Sequence, residues 1–88
     1  MKTFTTSQAQ DFTIDYASAI SAGFGHKRIT VDVIAENGDK KEFEATSNNM
    51  PAYDEADELE GQEKYEALFE MVESALDDQI AEWISDLN

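Results

Sequence analysis

The chain of 88 residues carries 20 Asp and Glu against 6 Lys and Arg, a formal net charge of −14, with 41% hydrophobic and 10% aromatic residues. That apolar content separates it from disordered acidic tails, which lack the side chains to build a core, and the length suits a single domain, 1–88, with one modest core. Without cysteine there is no disulfide, thiol nucleophile or thiolate-bound metal. No apolar run approaches the about 18 residues of a membrane span, and Met1-Lys2-Thr3-Phe4 lacks the apolar stretch of a signal peptide, so residence in the cytoplasm is expected.

Ser7-Gln8-Ala9-Gln10 matches a capping box, in which a hydroxyl and a Gln three residues on satisfy free backbone N–H groups. It predicts a helix from about Gln8 to Ser21, with Ala9, Phe12, Tyr16, Ala19 and Ile20 on one face, Asp11 and Asp15 on the other, and Gly23 and Gly25 as the stop. Phe12-Thr13-Ile14-Asp15-Tyr16 also alternates as a strand does. Lys27–Ala35 and Lys40–Thr46 read as the strands of a hairpin turned at Glu36-Asn37-Gly38. A two-residue Asn37-Gly38 loop would set Phe43 opposite Asp32. A three-residue loop with Gly38 left-handed pairs Val31 with Phe43 and Ile29 with Ala45, which unites the apolar face. Asp32, Glu42 and Glu44 then lie on the outer face.

Residues 47–53 read as a loop with room for a third short strand, and Pro51 opens a short helix through Glu60 that Gly61 ends. Tyr65, Leu68, Phe69, Val72, Leu76, Ile80, Trp83, Ile84 and Leu87 then recur at helical spacing. They predict one helix from about Gln62 to Leu87, roughly 39 Å long at about 1.5 Å per residue, whose apolar stripe is core. The expected fold is therefore α+β: an N-terminal helix, an antiparallel hairpin and a long acidic C-terminal helix.

Charge is distributed unevenly along this plan. Residues 1–53 hold seven acids and five bases, whereas residues 54–88 hold thirteen acids and one base, Lys64. Asp54, Glu55, Asp57, Glu58 and Glu60 form one cluster. On the last helix Glu63, Glu66, Glu70, Glu73 and Asp77 form a row on one flank of the apolar stripe, and Asp78, Glu82 and Asp86 a row on the other. The ridge between them is Ala67, Met71, Ser74, Ala81 and Ser85. Like charges at these spacings each cost about 0.2–0.5 kcal/mol, and acids in the last turns oppose the helix dipole. A helix selected only for stability would interleave lysines. Steps of three or four residues rise about 4.5–6 Å, comparable with successive phosphates, so the rows can offer carboxylates to a basic groove that otherwise holds nucleic acid. The ordinary alternative is a solvated face.

Other chemistries are poorly supplied. His26 is a lone histidine, and without Cys or a second His a zinc site has no ligand set. The acids at 54–60 lack the ligand order of a calcium loop, and Gly23-Phe24-Gly25 does not sit in a phosphate-binding context. Carboxylate-pair hydrolysis needs a cleft that a chain this short has little room to build. Lys27, Arg28, Lys40 and Lys41 are expected to pair with Asp15, Asp32, Glu42 or the last helix. Met50 and Tyr53, beside Pro51, either anchor an interface or cover the core edge. No enzyme activity, cofactor or metal is expected.

In size, lack of cysteine, α–hairpin–α plan and acids concentrated at 54–86, the chain resembles the small acidic inhibitors encoded by bacteriophages, the anti-CRISPR proteins and other DNA mimics. The resemblance is one of general character and carries no motif. It implies occupation of the nucleic-acid groove of a nuclease complex or another basic nucleic-acid-binding protein, in the host cytoplasm if the chain is phage-encoded, without direct contact to nucleic acid or membrane. The alternative is an immunity- or antitoxin-type binder of some other basic protein. The charge favours a monomer, and the Ala67, Ser74, Ala81 ridge is the surface on which a weak homodimer would form.

Overall fold

A computed structural model describes residues 1–87. Four antiparallel strands come first and three helices follow: β1 Phe4–Thr5, β2 Asp11–Gly23, β3 His26–Ala35, β4 Lys40–Ser47, α1 Met50–Asp57, α2 Gly61–Glu70 and α3 Glu73–Asp86. The sheet is a meander in the order β1-β2-β3-β4. The helices cover one of its faces, with α2 against β2 and β3, α3 against β4, and α1 on α2.

The predicted N-terminal helix is overturned. Residues 11–23 form the longest strand of the sheet, and the residues of the supposed capping box make the β1–β2 turn. The buried Thr6 organises that turn, its hydroxyl accepting from the backbone N–H of Gln8 and Gln10 at 3.2 Å and donating to Gln10 Oε1 at 2.8 Å. Ala9 turns the chain at φ 62°. A bulge explains why a strand carries helical spacing. Pairing with β3 steps from Ile14↔Val33 to Tyr16↔Asp32, leaving Asp15 as an extra residue. Inward positions therefore run Phe12, Ile14, Ala17 (all buried), and the jump from 14 to 17 counterfeits an i,i+3 step. Tyr16 and Ile20, expected on the buried helix face, are 47% and 57% exposed.

The β3–β4 hairpin follows its sequence. Val31 pairs with Phe43 and Ile29 with Ala45. Ala35 N–H donates to Asp39 O at 2.8 Å and Gly38 N–H to Ala35 O at 2.9 Å, closing a three-residue loop with Gly38 at φ 92°. Ile29, Val31 and Val33 are fully buried beneath the helices.

The single long helix is also overturned. Residues 50–57 already form a helix, capped by the Asn49 side chain accepting from Ala52 N–H at 3.2 Å, and Gly61 (φ 60°) begins α2 rather than ending α1. Chain direction then breaks at Met71-Val72, where Val72 lies at φ −123°, ψ 9° and Met71 and Val72 N–H reach back only three residues, to Leu68 and Phe69 carbonyls. One straight axis could not follow both β2 and β4 on a twisted sheet; the break lets α2 lie along the first and α3 along the second. The apolar stripe is core across the break, with Leu68, Phe69, Val72, Leu76, Ile80 and Ile84 buried. Phe69 sits at its centre, with ring centroids 4.8 Å from Phe4 and 5.6 Å from Phe12, both edge-on. The break also rephases the supposed outer ridge: Ala81 is fully buried, Ala67 and Met71 half-buried.

The two long edges of the sheet differ. β4 presents Lys40, Lys41, Glu42 and Glu44, charges of the kind that discourage pairing with another chain. β1 covers β2 only at Phe12 and Asp11. Beyond that, among the described residues, the Gln62 side chain donating to Ile14 O at 2.6 Å is the one contact capping the open edge of β2 with a hydrogen bond.

Candidate functional site

The two acidic rows of the C-terminal region have different fates. The row Glu63, Glu66, Glu70, Glu73, Asp77 is where the N-terminal segment docks. Lys2 Nζ lies 2.6 Å from Glu70 Oε1, and the Lys2 backbone N–H donates to Glu66 Oε2 at 2.8 Å, an oxygen that also accepts from Gln62 Nε2 at 2.9 Å. Ser7 donates both its N–H and its hydroxyl to Asp77. Only Glu63 and Glu70 of this row are exposed, and Glu70 is held by Lys2. Titration follows the contacts. Hydrogen bonding from Gln62, with the Lys2 N–H adding to it, holds the Glu66 carboxyl below its ordinary range. Partial burial, reinforced by the Glu70 and Asp77 charges, pushes Glu73 up. Glu70, by hydrogen bond and charge, raises the Lys2 ammonium.

Asp78, Glu82 and Asp86 are all exposed. Because α3 packs beside β4, Glu82 and Asp86 share a shallow groove with Glu42 and Glu44 of the sheet edge. Trp83 forms its floor, half-buried, with its ring edge-on to Phe43 at 5.7 Å. A flat aromatic flanked by four carboxylates and by Lys41 is thus partly open to solvent. Sequence periodicity assigns Trp83 to the core; its neighbours Glu82 and Asp86 in the same turn were the available sign that its outer edge is a surface.

Asp54, Glu55, Asp57, Glu58 and Glu60 are exposed on and just after α1. They form a second acidic surface, on the helix that packs against α2 rather than on α3. The thirteen acids, expected as one cluster and two rows, therefore divide into the α1 set, the α3–β4 set and a row largely used by the fold.

Little cationic charge offsets either free set. Ion pairs join Lys2 to Glu70, Arg28 to Glu44 (3.6 Å), Lys40 to Asp15 (3.1 Å) and Lys64 to Asp57 (3.3 Å). Lys27 Nζ stands 4.5 Å over the Tyr53 ring and Lys41 Nζ 5.4 Å over Phe43. The predicted pairing of Lys40 with Asp15 is present, whereas Arg28 takes Glu44. Four of the 20 acids thus have a cation within ion-pair distance among the described residues. Nor, among the described residues, do three or more His, Asp or Glu converge as metal ligands would. No described helix is long and apolar enough to cross a membrane.

No protein-family model, curated protein or solved structure matches the chain.

Proposed function

We propose that the chain is an acidic binding protein whose α3–β4 face occupies a basic, nucleic-acid-binding surface of a partner protein, in the manner of the phage-encoded DNA mimics and anti-CRISPR inhibitors it resembles in character. One observation carries the reading: Glu82 and Asp86, with Glu42 beside them, line the groove around Trp83 together with Lys41, and these three acids, like the exposed Asp78 on the same helix, have no ion-paired cation among the described residues. Asp78, Glu82 and Asp86 follow one another at four-residue steps, about 6 Å apart along the axis. Carboxylates in such a row accept paired hydrogen bonds from arginine, and a half-buried tryptophan supplies apolar contact at little entropic cost. The field of −14 repels nucleic acid and steers a basic protein in.

The test is capture of binding proteins on the immobilised chain, followed by competition with the captured protein's own DNA or RNA. The expected result is one nucleic-acid-binding protein, displaced by its nucleic acid, released by high salt, and not retained by the triple variant Asp78→Lys, Glu82→Lys, Asp86→Lys. Retention by the triple variant would remove this face from the reading. A captured protein indifferent to nucleic acid would favour an immunity- or antitoxin-type binder instead.

A further inference from the structure

The α3–β4 groove combines an aromatic floor with carboxylates from two elements. We propose that it takes an arginine side chain of the partner in preference to a lysine, the guanidinium laid against Trp83 with its edge toward Glu42, Glu82 and Asp86. The proposal rests on the reading of that face given above and names the group it recognises. The groove holds about 450 Å3, the scale of a small-ligand site, and so suits one long side chain rather than a helix or a strand. Glu42 and Glu44 enter it from β4, Glu82 and Asp86 from α3. Glu44 is engaged by Arg28 at 3.6 Å. Glu42, Glu82 and Asp86 are exposed and have no ion-pair partner among the described residues, so the groove offers charge for an incoming cation to neutralise.

Two features select arginine. The first is the floor. Trp83 is half-buried and edge-on to Phe43 at 5.7 Å, a contact that holds the indole in place. A guanidinium is flat and weakly hydrated, so it lies on a ring while its in-plane N–H groups reach carboxylates beside that ring. An ammonium is a compact, strongly hydrated point charge. The second feature is Lys41. Its ammonium already lines the groove, 5.4 Å over the Phe43 ring, yet stands within ion-pair distance of no acid among the described residues. The carboxylates thus stay open beside a tethered lysine. Lys41 also repels any second cation in the groove, and so limits how tightly one is held.

The chain has one tryptophan, so its fluorescence reports this groove. The experiment titrates the purified chain with capped hexa-arginine and, separately, with capped hexalysine, at low salt where screening is weak, with calorimetry in parallel. Expected is a saturable change in Trp83 emission, with hexa-arginine bound about fivefold more tightly than hexalysine, the scale of ring stacking and paired hydrogen bonds at an open site. Lys41→Met is expected to tighten hexa-arginine about two- to fivefold, the scale of one exposed charge pair. Glu82→Gln with Asp86→Asn alters only exposed side chains and is expected to lose the arginine preference. Equal affinity for the two peptides, calorimetric binding without a Trp83 response, or a preference that survives the double variant overturns the proposal. No tightening in Lys41→Met removes the role given to Lys41. A captured protein indifferent to nucleic acid would overturn the functional reading while the arginine preference stands. A nucleic-acid-binding partner that the α3 triple variant loses, but that Trp83→Leu binds undiminished, would keep that reading and overturn this proposal.

Discussion

Ser7 donates its backbone N–H to one carboxylate oxygen of Asp77 at 2.9 Å and its hydroxyl to the other at 2.5 Å, tying the β1–β2 turn to α3. The pair decides how the first acidic row is to be understood. For a carboxylate that only repels its neighbours, removal would stabilise the chain by a few tenths of a kcal/mol. Asp77→Ala is instead expected to destabilise it by about 1–2 kcal/mol, because charge-assisted hydrogen bonds are lost at a half-buried site. Urea unfolding gives the sign directly.

Two neighbours in that row are expected to respond to pH in opposite directions. Glu66 has a folded pKa below its unfolded value, so its contribution is present above the unfolded value and is lost as pH falls through the folded one. Glu73 has a folded pKa above its unfolded value, so the folded state holds the extra proton and stability declines as pH rises through that window. At neutral pH, Glu66→Gln should therefore lower Tm and Glu73→Gln raise it. Both differences should vanish below the carboxylate range, as thermal melts across pH would record.

Charge reversal on the α3–β4 face should be benign for the fold. Lysines at 82 and 86 would complement the helix C-terminus, each worth about 0.3–1 kcal/mol. The Asp78→Lys, Glu82→Lys, Asp86→Lys variant is thus expected to melt at or above the parent temperature even as it loses its partner. Glu66→Lys with Glu70→Lys should melt lower, because both groups that hold Lys2 are reversed.

Phe24 has no folding role that the structure displays. It is 102% exposed and sits in the left-handed region, at φ 50°, between Gly23 and Gly25. Asn tolerates that backbone better than Phe. Phe24→Asn should leave stability unchanged or raise it by up to about 1 kcal/mol, and a clear loss in chemical denaturation would mean that the ring packs.

Phe69→Ala should cost about 3–5 kcal/mol, the usual range for truncating a buried aromatic. That is a large share of the stability of a chain this small, about 0.05–0.15 kcal/mol per residue. Its equilibrium unfolding curve should lose most of the native baseline.

The β3–β4 hairpin was legible because alternation, loop length and the left-handed preference of Gly38 all favoured one register. The apolar stripe at 65–87 was legible as core, though its division was not: nothing local to Met71-Val72 forbids a helix, and the break answers to the twist of a sheet that the stripe itself does not encode. β2 was misread for a definable reason. Phe12, Ile14, Ala17 and Ala19 mix steps of two and three, and only the pairing with Val33 and Asp32 shows that the longer step is a bulge. Spacing likewise placed Glu66, Glu70 and Asp77 with the free acids, because the groups that occupy them, Lys2 and Ser7, lie more than sixty residues away in sequence.

The unequal edges of the sheet are guarded by different devices. β4 is fenced by Lys40, Lys41, Glu42 and Glu44. β2 is kinked by its bulge at Asp15 and flanked at Tyr16–Ala19 by Glu60, Lys64 and Tyr65. Each discourages the addition of a further strand, so a sheet of four strands can stand alone without becoming a seed for fibres.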